Sequence, residues 1–147
     1  LQRETESSHL TGQAGFLDNI NISLSEGGRD QISEIRVDGV IDTLTAGELE
    51  EVIDTLLKRD RYRIIVDLAG VDYISSAGWG IFISHIKQVR SNEGDIKLAN
   101  MVPNVREIYE LLEFDNVLKA YESTDAARDD FSGSDGGREP KKKQSKQ

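Results

Sequence analysis

Asp67-Leu-Ala-Gly-Val-Asp-Tyr-Ile-Ser-Ser-Ala-Gly-Trp-Gly80 runs from a buried strand into a helix and leaves two hydroxyls, Ser75 and Ser76, at the joint. Just ahead and into it, Ile64, Ile65, Val66 and Leu68 form a nearly continuous apolar run, the pattern of a strand covered on both faces within a parallel sheet. A second short apolar piece, Val71 to Ile74, follows. After Gly78 the period changes. Trp79, Phe82 or Ile83, Ile86 and Val89 recur at helical spacing, which predicts a helix beginning within a residue or two of Ser76. The serines therefore fall where backbone N–H groups lack partners. A hydroxyl there can cap the helix, or a phosphate on it can be held by the same donors and the positive end of the helix dipole. Gly78 and Gly80 each weaken a helix by about 1 kcal/mol relative to alanine. Small residues in that turn let another backbone come close, either a partner's or that of the chain's own sheet.

Working outward, the elements alternate in kind. Ile20, Ile22 and Leu24 alternate as a half-exposed strand, Glu26-Gly-Gly-Arg29 reads as a turn, and Ile32 to Val37 as the antiparallel partner, an opening hairpin. Asp38-Gly39 then precedes Val40-Ile41-Asp42. A helix is predicted from about Thr45 to Lys58, with Leu49, Val52, Ile53 and Leu56 as its apolar stripe and Thr45 and Glu48 as a capping box. Downstream, Ile96 to Ala99 reads as a strand. Pro103 opens a helix carrying Val105, Ile108, Leu111 and Leu112, Val117 to Tyr121 reads as an edge strand, and Thr124 to Phe131 as a short closing helix. Strands alternating with amphipathic helices predict an α/β domain: a mixed, largely parallel sheet of about five strands packed against about four helices.

Composition narrows the function. The 147 residues fit one domain with a core of its own. There is no cysteine, which excludes disulfides and thiolate metal sites. Two histidines, His9 and His85, are too few and too far apart in the sequence for a zinc site, so no metal and no cofactor is expected. The net charge is −9; residues 1–15 carry −1 and residues 132–147 carry +3, which leaves −11 on residues 16–131. An acidic body of that size repels nucleic acid. The segment 132–147, Ser-Gly-rich and then lysine-rich without aromatics, reads as a disordered basic tail, and 1–18 as a flexible lead-in. No long apolar run is present, so no membrane span is expected. The chain opens on Leu1 and its one methionine is Met101, so it reads as lacking its native start.

Three segments together carry a family resemblance. Gly39-Val-Ile-Asp-Thr-Leu-Thr-Ala-Gly-Glu-Leu49, then Asp67 to Gly78, then Leu98-Ala-Asn-Met-Val-Pro-Asn-Val-Arg106 with Leu111 and Leu112, resemble the successive signatures of STAS domains of the anti-sigma factor antagonist type, over roughly residues 19–131. The resemblance implies a cytoplasmic, non-catalytic, partner-switching protein. Unphosphorylated, such a protein binds an anti-sigma factor Ser/Thr protein kinase and frees the sigma factor. The kinase phosphorylates a serine at the start of the central helix, the complex dissociates, and a PP2C-type phosphatase resets the switch. The family's Asp-Ser-Ser/Thr-Gly falls on Ser75-Ser76-Ala77-Gly78, which makes Ser76 the phosphoacceptor and Ser75, standing where the family has an acid, the second choice. Asp42 matches the acid of the loop before the first helix, with a plain turn or capping carboxylate as its other reading. The expected partner-binding residues are Asp42, Ser75, Ser76, Ala77, Gly78, Trp79 and Gly80. For Trp79 the leading reading is a cap on the core beneath its helix, with partner contact as the second.

Other readings fare worse. A hydrolytic Ser76 would need a base, and His85 lies nine residues on, a rise of about 13.5 Å and about half a turn out of phase. A receiver-like phosphorylated Asp67 lacks the neighbouring acids of a magnesium site. Within the resemblance, the alternatives are a stressosome-type scaffold, a transporter-associated domain or a lipid-transport partner, and a weak homodimer fits any of them. His85, Tyr109 and Tyr121 read as structural residues.

Overall fold

The opening hairpin forms as expected: β1 (Ile20–Glu26) pairs antiparallel with β2 (Ile32–Ile41), from Ile20↔Gly39 to Glu26↔Ser33. The computed structural model describes residues 20–27 and 30–136, apart from the side chains of 133–136. The expectations for residues 1–18 and for the basic tail beyond 136 lie outside that range. Val40 and Ile41 are not a separate piece. Gly39 takes a φ of 118°, open to glycine without strain, and the register against the next strand shifts there, so β2 kinks and continues. The two apolar runs around Asp67 likewise merge into one twelve-residue strand, β3 (Arg63–Ile74).

The rest follows as α1 (Ala46–Lys58), α2 (Ser76–Ser91), β4 (Asp95–Ala99), α3 (Pro103–Leu111), a 3₁₀ turn (Phe114–Asn116), β5 (Lys119–Tyr121) and α4 (Thr124–Gly136). The last helix passes the expected end at Phe131. Strand order is β1-β2-β3-β4-β5, with every pair after the hairpin parallel. Parallel crossovers are right-handed in nearly all proteins, and here each steps the same way across the sheet, which puts α1, α2 and α3 on one face.

The packing agrees. Val37, Ile64, Val66, Leu68, Ile96 and Leu98 meet Leu49 and Ile53 of α1, Phe82 and Ile86 of α2, and Val105 and Tyr109 of α3 in one apolar cluster. The opposite face carries a smaller cluster, Ile32, Ile65 and Ala99 under Ala127 and Phe131 of α4. Lys97 is buried beside it, 2.8 Å from Asp130 Oδ2 of α4, 3.5 Å from Asp95, and 4.6 Å from the Phe131 ring centre.

The stripe expected of α3 is corrected. Val105 and Tyr109 are its buried residues, while Ile108, Leu111 and Leu112 face outward. The helix is only nine residues long, and the Tyr109 ring lies 6.1 Å from that of Trp79 while its hydroxyl donates to the Leu118 carbonyl, which turns that face inward. Among the described residues no helix is long and apolar enough to cross a membrane.

Candidate phosphoacceptor and docking site

Ile41 and Ile74 are register partners at the ends of β2 and β3, and the Ser75 amide donates to the Ile41 carbonyl at 2.8 Å. The next residues along, Asp42 and Ser75, therefore leave the sheet side by side, on strands whose neighbours stand about 4.8 Å apart. This is the carboxyl end of the parallel strands, where open α/β sheets place their ligands.

Ser75 has extended backbone angles and its Oγ accepts from Gly78 N at 3.3 Å, so it is the N-cap of α2. Ser76 is the first helical residue and is exposed. No described residue hydrogen-bonds its hydroxyl. The two adjacent serines are thus separated by geometry. One hydroxyl is engaged by the backbone; the other faces solvent beside amide groups that a helix start leaves without intrahelical acceptors.

Asp42 is half-buried, and its carboxylate caps the turn into α1. Oδ1 accepts from Leu44 N at 2.9 Å and Thr45 N at 3.1 Å. The capping box expected at Thr45 and Glu48 does not form. Thr45 makes no side-chain cap bond; its buried hydroxyl instead donates to the Val40 carbonyl at 2.7 Å and accepts from Asp42 N at 2.9 Å, stitching the loop to the strand end. With its hydroxyl committed to the strand end, Thr45 caps neither Gly47 nor Glu48, and the Glu48 amide donates to the Thr45 backbone carbonyl at 3.0 Å instead.

The remaining expected contact residues divide. Ala77 is half-buried and Gly80 is exposed, with open space where a Cβ would point. Gly78 is buried: a Cβ there would stand 2.6 Å from Ile41 Cγ2 and 2.8 Å from Ile74 Cγ2, so its smallness serves the close approach of α2 to the sheet and offers no outward contact. Trp79 is also turned inward. It is 2% exposed, with ring centroids 5.0 Å from Phe114 and 6.4 Å from Phe82, so the indole fills the core under α2. Its Nε1–H has no acceptor among the described residues.

Two residues absent from the expected set stand around the serines. Leu44, 80% exposed, lies in the loop after Asp42, and Tyr73, 54% exposed, precedes Ser75 by two. Leu44 falls outside the stripe of α1, and Tyr73 breaks the inward pattern of Val71 and Ile74; those mismatches were the available signals. Tyr73 also borders a cleft of about 300 Å³ between the end of β3 and α3, lined by Ile74, Trp79, Val105 and Ile108 with Asp72 and Glu107.

The STAS domain family profile matches residues 27–127. The chain is 33% identical over 89 residues to BtrV of Bordetella bronchiseptica, provisionally described as an anti-sigma factor antagonist; the match covers 60% of this chain and 77% of BtrV. It is 24% identical over 106 residues to the anti-sigma-B factor antagonist of Staphylococcus aureus, covering 72% of this chain and 98% of the relative. Among solved structures, the fold is similar to that of the anti-sigma factor antagonist SpoIIAA of Bacillus in its unphosphorylated form, with TM-score 0.60 and 18% identity over 76% of this chain and 97% of SpoIIAA. Its phosphorylated form superposes with TM-score 0.58 at 17% identity, over 74% of this chain and 97% of SpoIIAA. With about two-thirds of the chain inside the matched profile and a mixed sheet of the same fold as these relatives, the chain belongs to the STAS domain family.

Proposed function

We propose that the chain is an anti-sigma factor antagonist controlled by phosphorylation of Ser76, which in its unmodified state docks an anti-sigma factor Ser/Thr kinase and so frees the sigma factor. The observation that carries this reading is the exposed, unengaged Ser76 hydroxyl at the first position of α2, beside a serine whose hydroxyl already caps the helix. The docking face comprises Asp42, Ser75, Ser76, Ala77 and Gly80, with Leu44 and Tyr73 supplying apolar area. Kinase transfer moves the γ-phosphoryl of ATP to Ser76 Oγ, with loss of the hydroxyl proton and release of ADP. A PP2C-type phosphatase hydrolyses the ester and restores the hydroxyl. The protein itself supplies docking and the acceptor, carries no catalysis of its own, and works in the cytoplasm.

Charge accounts for the switch. A phosphoserine adds about −1.5 to −2 charges. Its own helix tolerates them, because the dipole and first-turn amides favour an anion there. The partner does not: two unit charges about 5 Å apart repel by about 3 kcal/mol at an effective dielectric of about 20, worth roughly a hundredfold in affinity. No refolding is required. Titration calorimetry of the cognate kinase against Ser76→Ala and Ser76→Asp tests this. The alanine variant should bind as the unmodified chain does and accept no phosphate, and the aspartate variant should bind roughly tenfold or more weakly, one added charge giving less than two. Equal affinity of the two variants, or phosphate mapping to Ser75, would refute the assignment.

A further inference from the structure

Away from the serines, α1 and α2 bring three ligand-bearing side chains together. Glu50 and Asp54 stand one turn apart on α1, and His85 of α2 faces them, with all three ligand atoms within 4.8 Å of one another. The ring is held in one orientation. His85 Nδ1 lies 2.7 Å from the Ile81 carbonyl, which can only accept, so Nδ1 carries the hydrogen. That leaves Nε2 turned toward Asp54 Oδ1 at 2.9 Å and Glu50 Oε2 at 4.0 Å. The imidazole nitrogen and the two carboxylates therefore converge on one small space between the helices.

We propose that Glu50, Asp54 and His85 form a binding site for one transition-metal dication of the Zn²⁺ class, bridging α1 and α2. Four features carry this. The donor set of one imidazole nitrogen and two carboxylates suits zinc, cobalt or nickel; magnesium and calcium take oxygen ligands alone. Zinc–ligand distances of about 2.0–2.2 Å put tetrahedral ligand atoms roughly 3.4 Å apart, a value the 2.9 and 4.0 Å separations straddle. The Nδ1–H to carbonyl bond is the outer contact that fixes the tautomer of metal-bound histidines. The imidazole side chain is 11% exposed while the carboxylates are 44% and 49% exposed, so the fourth coordination direction opens to solvent. A dication would also neutralise the two carboxylates in a body that is strongly acidic. The inference is independent of the phosphorylation reading.

The sequence did not suggest this site, because only two histidines exist and the carboxylates lie 31 and 35 residues from His85. The test uses the full chain near neutral pH, titrated with zinc chloride by calorimetry and with cobalt chloride by visible absorption. One ion per chain is expected, with the cobalt bands of a tetrahedral or five-coordinate site. Glu50→Gln and Asp54→Asn, which alter half-exposed side chains and leave the fold intact by circular dichroism, should each weaken binding at least about tenfold, as should His85→Gln. His9→Ala, removing the other histidine, should leave binding unchanged. Absence of binding up to about millimolar metal, binding retained in the Asp54→Asn and His85→Gln variants, or binding lost with His9→Ala would overturn the proposal.

Discussion

Ser75 and Ser76 differ by one position and by the work of their hydroxyls. The Ser75 Oγ accepts the Gly78 amide, so Ser75→Ala should destabilise the fold by about 1 kcal/mol, the usual worth of a lost N-cap, read as a lowered urea midpoint. Ser76→Ala removes no bond that the described residues make and should leave that midpoint within about 0.5 kcal/mol of the parent. If the two variants were equally destabilised, the geometric separation of the serines would be wrong, and with it the reason for preferring Ser76 as acceptor. Reading the residues alone left both candidates open. Whether a hydroxyl is engaged depends on the backbone angle of its residue, and a Ser-Ser pair does not encode which one turns inward.

At the scale of the element, α2 shows why spacing located the helix but misplaced its contacts. The switch to helical period after Gly78 marked the start of the helix, because apolar periodicity is what buries one face. It did not settle the rotation of the first turn, where Gly78 and Trp79 go inward and Ser76 and Gly80 outward. Trp79, large and amphipathic, suits an interface as well as a core; only the space beneath α2, bounded by Phe114 and Tyr109, decides. The two glycines yield opposite predictions. Gly78→Ala should cost about 1–3 kcal/mol, since Ile41 and Ile74 would have to yield. Gly80→Ala, facing open space, should raise stability by about 0.5–1 kcal/mol through helix propensity. Chemical denaturation of both variants checks the pair; equal effects would place the helix wrongly on the sheet. α3 repeats the lesson: its apolar residues were identified, but nine residues were too few for a period to say which way Tyr109 faced.

For the whole molecule, the two sides of the sheet are held by different chemistry. Three helices seal one face with aliphatic and aromatic packing, and α4 is fastened to the other through Lys97, Asp130 and Tyr121 around a small apolar cluster. Burial alone would raise the Asp130 carboxyl, but hydrogen bonds from Lys97 and Tyr121 outweigh it and hold the carboxyl below its ordinary value of 3.8. A carboxyl depressed on folding contributes stability above its unfolded value and loses it as pH falls toward the folded one. Stability should therefore decline below about pH 4, and Asp130→Asn should flatten part of that decline while costing about 1–3 kcal/mol near neutrality. Asp95 remains 3.5 Å from the Lys97 ammonium and limits the loss. Equilibrium unfolding of both chains as a function of pH measures the difference; identical acid slopes would remove Asp130 from the account. This fastening was not legible in advance. Lys97 reads as the polar member of a short strand, and its burial depends on a helix about thirty residues further on.

Strand order that follows chain order without exception also bears on assembly at the ribosome. Each segment, on emerging, finds the preceding strand already presenting a free rim, and none must later wedge itself between two neighbours that have closed. Synthesis can thus extend the sheet like a row of tiles, but a polypeptide halted before Lys119 would lack both its last tile and the cover over Ile32, Ile65 and Ala99, leaving that side bare until the final helix is made.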